Sequence, residues 1–294
     1  MAIETEIGWC DSSVNPVVGC DGCELHRAGC AESHCYAAGL VGRYKGLPGW
    51  PKSFDVPEHF AGRLDKAIGW PDLTGKDRAG KPWLNGYPRL IFMCDLADPF
   101  SESLDPEWLT PYLPKMAKSP HVYIMLTKRG RRMLSYWQKH EIPRNVWQGV
   151  TVTGPETANR LDSLMAVPGA SVRFASMEPL LGPPVRGLGN LDWVIVGGES
   201  GAGARPMNPQ WARELRDLCQ KLGRAYFFKQ WGGWVGGSCD RNGWFYPQCG
   251  PAEGRSGTKR LIDWGGGVAS DFAGKKGAGR LLDGREWSEM PRIA

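Results

Sequence analysis

Residues 122–129 read VYIMLTKR, a short apolar run that ends in a hydroxyl group and two cations. Similar runs recur along the chain, and stretches with helical periodicity lie between most of them. This alternation is typical of βα units that build a parallel sheet. The runs are residues 89–93, 122–126, 146–152, 172–176, 193–196 and 225–228, and a further strand is predicted near 7–18. Helices are predicted at 57–68, 105–118, 130–141, 155–166 and 209–222.

Six or seven parallel strands fall short of the eight strands of a closed barrel. We therefore predict an α/β fold, a partial (β/α)6-type TIM barrel over residues 1–231, with a Pro- and Gly-rich insertion at 45–88. An open doubly wound sheet is the competing architecture. Residues 232–294 are rich in glycine and show little periodic hydrophobicity, which predicts an irregular extension or tail: a lid, a small subdomain or a partly disordered segment.

Composition narrows the class of protein. No apolar run approaches the ~18 residues of a membrane span, and the N-terminus lacks the pattern of a signal peptide. We therefore expect a cytoplasmic protein with no membrane partner. The formal charge of +5 permits a nucleic-acid partner without requiring one. The best basic cluster is KRGRR at 128–132, and the 14 tryptophans offer surfaces on which bases could stack.

Four cysteines crowd into one short loop, at Cys20, Cys23, Cys30 and Cys35. Thiolates at such spacing bind a metal or an iron–sulfur cluster, or they form disulfides. The odd total of nine cysteines and the expected reducing compartment argue against disulfides. The loop therefore predicts a metal centre. Cys94 and Cys219 are read as buried free thiols, and Cys239 and Cys249 form a separate C-x9-C pair.

Every predicted strand is followed by charged or hydroxyl-bearing residues. Functional groups of parallel α/β folds gather at the carboxyl ends of the strands, so these residues are expected to share one mouth with the cysteine loop. Glu178 and Lys229 are the strongest candidates for a functional role, since ionised groups seldom sit there without a partner. We call the segments that directly follow the predicted strands the strand exits. They are Cys94–Asp98, Thr127–Arg129, Thr151–Thr153, Ser176–Pro179, Gly197–Ser200 and Lys229–Trp231.

Taken together, segments through most of the chain resemble a phage-associated protein family that is itself similar to radical S-adenosylmethionine (SAM) enzymes. The segments are VNPVVGC (14–20), CYA (35–37), DLADPF (95–100), LTKR (126–129), SMEPLLGP (176–183), VIVGGESG (194–201), ARPM (204–207) and FFKQWG (227–232).

The resemblance implies a radical-SAM-like barrel with a [4Fe–4S] cluster in the cysteine loop. Three thiolates would ligate three irons, SAM would bind the fourth, and an external donor would supply the electron that breaks a carbon–sulfur bond. The product, a 5′-deoxyadenosyl radical, would act on an unknown substrate such as a nucleic acid or a nucleotide. Residues assigned to the SAM pocket are Gly197, Gly198, Glu199, Ser200 and Asp95, with Val194 and Val196 near the adenine. Residues expected to face SAM or substrate are Glu178, Lys128 and Lys229.

The cysteine loop departs from the usual radical SAM spacing of C-x3-C-x2-C. Cys20 and Cys35 keep the flanking residues of the phage-type relatives, and the ligand between them is either Cys30, which follows a glycine as in those relatives, or Cys23.

Two other functions compete. The first is a non-enzymatic nucleic-acid-binding protein in which all four cysteines form a structural zinc site. The second is a hydrolase or nuclease that holds a divalent cation. Its carboxylates would be Asp95, Asp98, Glu178 and Glu199.

Overall fold

The computed structural model describes residues 1–27, 34–184, 187–201, 203–242, 244–247 and 260–292. Cys30 and Cys249 lie outside the described residues. The strands are β1 (Ser12–Val14), β2 (Val17–Val18), β3 (Glu58–His59), β4 (Leu90–Met93), β5 (Val122–Thr127), β6 (Val146–Thr151), β7 (Arg173–Met177), β8 (Trp193–Gly197), β9 (Ala225–Gln230), β10 (Trp234–Cys239), β11 (Phe245–Pro247), β12 (Leu261–Gly265) and β13 (Val268–Phe272). The helices are α1 (Tyr36–Tyr44), α2 (Arg63–Ile68), α3 (Leu113–Lys118), α4 (Gly130–Trp137), α5 (Asn159–Met165), α6 (Pro209–Leu222) and α7 (Gly274–Ala278).

Seven strands form one parallel sheet in the order β1, β4, β5, β6, β7, β8, β9. Its strands read as continuous apolar runs because both faces of a parallel sheet are covered. All four residues of β4 and all five of β8 are buried, for example. The six predicted runs are confirmed as strands within two residues at either end. The strand expected near 7–18 is reduced to β1 and β2.

The prediction of a radical-SAM-like (β/α)6-type barrel is wrong. The parallel sheet has seven strands, and the described residues between β7 and β8 contain no helix, so the βα alternation is broken there. The first strand, β1, is also short and polar. Its Ser12 hydroxyl donates to the Ile3 carbonyl at 2.6 Å and accepts from the Arg89 guanidinium at 2.8 Å, which satisfies a buried polar strand.

Helix α6 has the bounds predicted from its sequence. The Asn208 side chain accepts a hydrogen bond from the Gln210 amide, and Pro209 occupies the first helical position. Gly223 ends the helix with a φ of +64°, a left-handed conformation that glycine adopts without steric cost. Local capping therefore determines both ends of α6.

The prediction of an irregular C-terminal extension is also wrong. Residues 234–272 contain an antiparallel sheet in the order β11, β10, β13, β12. Its glycines allow close packing rather than irregularity. A Cβ on Gly236 would lie 2.5 Å from the Trp231 ring, and one on Gly237 would lie 2.3 Å from the Tyr246 carbonyl oxygen. Glycine content alone could not distinguish these two roles.

The chain divides into two compact units. The first comprises residues 1–151, 160–174 and 292–294, and the second comprises 152–159 and 175–291. Each has buried aromatic side chains of its own, such as Trp137 and Trp147 in the first and Trp193 and Trp231 in the second. Within the described residues, no helix combines the length and the apolar character needed to cross a bilayer.

The predicted insertion is tied to the N-terminal segment by cations. The Lys81 ammonium donates to the carbonyls of Thr5, Ile7 and Cys10 at 2.6 to 2.8 Å. The Arg78 guanidinium pairs with Asp11, with both side chains largely buried. These contacts fix the segment that leads into β1, so the insertion supports the start of the sheet.

Gly149→Ala should destabilise the first unit. Its added Cβ would lie 2.4 Å from the fully buried ring of Phe174, and overpacking of a core typically costs about 1–3 kcal/mol. Urea unfolding followed by circular dichroism measures the loss. The control is Gly39→Ala in α1, where the methyl group meets open space and should change stability by less than about 1 kcal/mol. Equal unfolding midpoints for the two variants would contradict the packing argument.

Candidate functional site

The described part of the cysteine loop is held by its backbone. The Cys20 amide donates to the Phe54 carbonyl at 2.7 Å, and Cys23 and His26 exchange two backbone hydrogen bonds. Cys35 stands at the N-terminus of α1 and packs, like Cys20, against an apolar cluster that includes Val18. The thiols of Cys20, Cys23 and Cys35 are half-buried. Backbone contacts therefore fix the described residues at both ends of the loop.

Two arginines from neighbouring strand exits clamp the C-x2-C segment. The Arg129 guanidinium pairs with Asp21 at 3.0 Å and also donates to the Gly22 carbonyl. The Arg160 guanidinium makes two parallel hydrogen bonds to Glu24, at 2.9 and 2.8 Å. Bidentate pairs of this kind fix geometry as well as charge. The segment between Cys20 and Glu24 is therefore held in place by both arginines.

Charged side chains of both signs lie near the thiols of the cysteine loop. Burial and, to a smaller extent, the Asp98 carboxylate raise the pKa of Cys20 to about 11, while Arg129 opposes the shift. Burial also raises the pKa of Cys35, against the nearby Lys128 ammonium. The metal-free thiols of Cys20 and Cys35 are therefore protonated at neutral pH, and the two cations favour the thiolate form that a metal ligand requires.

Asp98 connects two successive strand exits. Its carboxylate is 5% exposed and accepts hydrogen bonds from the Thr127 hydroxyl at 2.6 Å and the Lys128 amide at 2.7 Å. It also accepts from the Phe100 amide at 3.0 Å. Thr127, Lys128 and Arg129 are thereby fixed relative to the exit of β4. Lys128, a predicted functional residue, lies at the cysteine loop as expected.

Asp95, assigned to the SAM pocket, lies at the carboxyl end of β4. The Asn15 amide donates to its carboxylate at 2.6 Å, and burial raises its pKa. The same Asn15 side chain accepts from the Leu96 amide at 2.9 Å. These bonds give Asp95 a role in joining the exit of β1 to the exit of β4, and its cofactor role stays a prediction.

In the second unit, Glu178 and Lys229 form an ion pair, and the functional role predicted for each of them stays a prediction. The Lys229 ammonium lies 2.9 Å from the Glu178 carboxylate, and their side chains are 30% and 14% exposed. The Ser176 hydroxyl donates to the other carboxylate oxygen at 3.2 Å. The result is a partly accessible ion pair at the carboxyl ends of β7 and β9. Such a pair could bind a ligand that carries both an ammonium and a carboxylate group.

The glycine turn after β8 serves close packing. A Cβ on Gly198 would lie 2.0 Å from the Trp231 carbonyl oxygen, and one on Gly197 would lie 2.8 Å from the Glu178 carboxylate. Glu199 is only 7% exposed, and its carboxylate accepts three hydrogen bonds from Arg205 at 2.6 to 2.8 Å. Ser200 is exposed. The turn is therefore braced internally, and its binding of SAM stays a prediction.

The alternative sites can be compared with these contacts. Within the described ranges, no three His, Cys, Asp or Glu side chains converge closely enough to hold a metal ion. The carboxylates of the hydrolase hypothesis each engage a donor of the protein. Among the described residues, Cys20, Cys23, Cys94, Cys219 and Cys239 are free thiols, so no disulfide joins these five.

Sequence reasoning places Arg129 in the basic run and at a strand exit near the cysteine loop, but it does not identify its partner Asp21, and it does not single out Arg160. Asp21 and Glu24, which stand between and beside the paired cysteines, were the available signal. Carboxylates in a partly buried cysteine loop require cationic partners, since unpaired buried charges are costly.

Cys20 should react slowly with iodoacetamide in the folded, metal-free, reduced protein. Because its pKa is about 11, the alkylation rate of Cys20 should keep rising until the pH reaches about 11. In urea the alkylation rate of the same cysteine should level off near pH ~8.5, the ordinary pKa of a thiol. The unfolded chain ionises first, so the contribution of Cys20 to stability is lost as pH rises between these two values. Mass spectrometry of the Cys20 peptide measures both profiles, and coincident profiles would contradict the buried environment.

Arg205→Leu should destabilise the second unit by about 2 kcal/mol, because it removes the guanidinium that neutralises the buried Glu199 carboxylate; the figure is reduced for the partial exposure of Arg205. Thermal and urea unfolding measure the loss. The control is Arg213→Leu, whose partner Asp283 is more exposed than Glu199 and keeps its pair with Arg216, so this change should cost less than about 1 kcal/mol. A loss no larger than the control would show that the turn is not braced by this ion pair.

The chain belongs to a family whose description reads "Protein of unknown function (DUF5131)", which matches residues 4–291. No curated protein and no solved structure matches the chain significantly.

Proposed function

We propose that this protein is a radical SAM-type enzyme in which the cysteine loop holds a [4Fe–4S] cluster. The observation that carries the proposal is the placement of three half-buried thiols at the carboxyl end of parallel strands, beside Lys128 and Arg129. These two cations place positive charge next to the thiols, which suits an anionic cluster.

The chemistry of the donor set fits such a cluster. Cys23 lies close enough to affect the pKa values of both Cys20 and Cys35, so the three thiols share one neighbourhood. A cluster ligated by three thiolates is an anion, and the ammonium and guanidinium groups beside it offset that charge. The described thiols do not converge on a single point, so completion of the set depends on Cys30 or on a shift of Cys23.

Cys20, Cys35 and either Cys30 or Cys23 would hold the cluster. When bound, the cluster supplies one electron, obtained from an external donor, for reductive cleavage of SAM to methionine and a 5′-deoxyadenosyl radical. The Arg129 and Arg160 clamps keep the C-x2-C segment in place, and Lys128 balances charge at Cys35. A reducing cytoplasmic location agrees with free thiols at the centre.

The Glu178–Lys229 pair is the proposed polar binding site of the second unit. The ammonium of Lys229 suits a carboxylate of the ligand, and the carboxylate of Glu178 suits its ammonium group. SAM and amino-acid-containing substrates carry both groups. The proposal for this pair is independent of which cysteine is the middle ligand.

Anaerobic purification followed by iron, acid-labile sulfide and zinc analysis tests the centre. We expect about four irons and four sulfides per chain, and 5′-deoxyadenosine formation from SAM with dithionite. Cys20→Ala and Cys35→Ala should each abolish iron and sulfide loading. Cys219→Ala, which removes a buried thiol of α6, is the matched control and should load normally.

Separate Cys23→Ala and Cys30→Ala variants identify the middle ligand, since only one of them should lose the cluster. About one zinc per chain with no sulfide would overturn the proposal in favour of a structural site. Normal iron and sulfide content without SAM cleavage would support the cluster but contradict the proposed radical chemistry.

A further inference from the structure

The last residues of α1 and the loop that follows, residues 43–52, present a stacked aromatic pair, and we call this segment the aromatic platform. The rings of Tyr44 and Trp50 stack with centroids 4.9 Å apart and an interplanar angle of 28°. Tyr44 is 41% exposed, and Leu47, which lies between these two residues in the sequence, is 52% exposed. Large apolar side chains exposed together need a reason, because singly scattered ones are the norm.

Backbone hydrogen bonds and two glycines fix the shape of the aromatic platform. The Gly46 amide donates to the Pro51 carbonyl at 3.0 Å, and the Trp50 amide donates to the Leu47 carbonyl at 2.9 Å. Gly46 and Gly49 have φ values of +76° and +81°, which a side chain would strain. The turn therefore holds Tyr44 against Trp50 before any ligand is present.

Arg63 ties the platform to the end of β1. Its guanidinium donates to the Gly49 carbonyl and, at 2.9 Å, to the Asn15 carbonyl. Helix α1 runs from the cysteine loop to Tyr44 over nine residues, a length of about 13 Å. The platform is thus positioned within one short helix of the candidate metal centre.

Three cations belong to the same short segment as the rings. Arg43, Lys45 and Lys52 are exposed, and the ion pairs found among the described residues include none of them. Nearby Asp55 is paired with His26, and Glu58 accepts from the backbone amide of Lys52. The charge of the platform is therefore available to a partner.

The basic run at 128–132 is different. Arg129 pairs with Asp21, and Arg132 donates to the carbonyls of Phe100 and Leu104. These guanidinium groups are engaged within the protein. The platform, which the sequence analysis did not single out, has the more accessible cations.

We propose that the aromatic platform binds single-stranded nucleic acid. Stacked aromatic rings provide faces for unpaired bases, and flanking cations follow the phosphate backbone, which is the usual combination for single-strand binding. Duplex DNA offers no open base faces and suits the platform poorly. As a docking surface for the substrate, the platform rests on the proposed function, but binding itself does not require the cluster.

Fluorescence anisotropy with a labelled 20-nucleotide single strand of mixed sequence tests the proposal on the full chain. Tyr44→Ala should weaken binding about tenfold, and Tyr44→Phe should retain it, since stacking needs only the ring. Arg43→Glu/Lys45→Glu should weaken binding at least about tenfold and reduce the slope of log affinity against log salt by about 1.4. Circular dichroism checks that each variant is folded.

The matched control is Lys118→Glu/Lys139→Glu, which makes the same charge change at exposed positions of the first unit. An equal loss of affinity in the control variant would show that binding depends on the overall charge of the protein, and it would overturn the proposal that the aromatic platform binds the strand. Tighter binding of duplex DNA, or no binding of DNA or RNA single strands, would also overturn it. Binding is measured with and without iron, so a protein that binds the strand but loads no cluster fails only the proposed function.

Discussion

The carboxylate of Asp98 connects the exits of β4 and β5 in the first unit. It is almost fully buried, and it accepts hydrogen bonds from the Thr127 hydroxyl, the Lys128 amide and the Phe100 amide. A buried carboxylate is tolerated only with such partners. Because these donors lie at the ends of two successive strands, their common acceptor fixes the positions of the Lys128 and Arg129 backbones. The contacts of those two cations with the cysteine loop follow from this geometry.

The second unit depends on a different constraint, the close approach of two backbone segments. Gly198 faces the Trp231 carbonyl, and Gly232 faces the Glu199 carbonyl, at distances that leave no room for a Cβ. Arg205 then closes the turn over Glu199. The segment that resembles a cofactor loop is therefore also a packing element, while the nearby Glu178–Lys229 pair keeps partial access to solvent.

Much of the sheet could be predicted, because strands buried on both faces leave apolar runs in the sequence. The places of Glu178 and Lys229 at strand exits could be predicted, but their ion pair could not. The strand predicted near 7–18 is shorter than expected, and the glycine-rich sheet β10–β13 was not predicted, since close packing against other segments, and not periodicity, explains its glycines. Helix α1 and the Tyr44–Trp50 stack were likewise missed, because a glycine-rich segment gives weak periodicity.

The sequence by itself determined the parallel strands, the local ends of α6 and the presence of a cysteine loop. Each depends on neighbours in the chain: hydrophobic runs, a capping residue, a spacing of thiols. Only the tertiary structure decided which charges surround those thiols and which cations remain accessible. Arg129 and Arg160 lie more than a hundred residues from Asp21 and Glu24. Pairings over such separations are set by where the sheet places each strand end, and local sequence patterns carry no record of them.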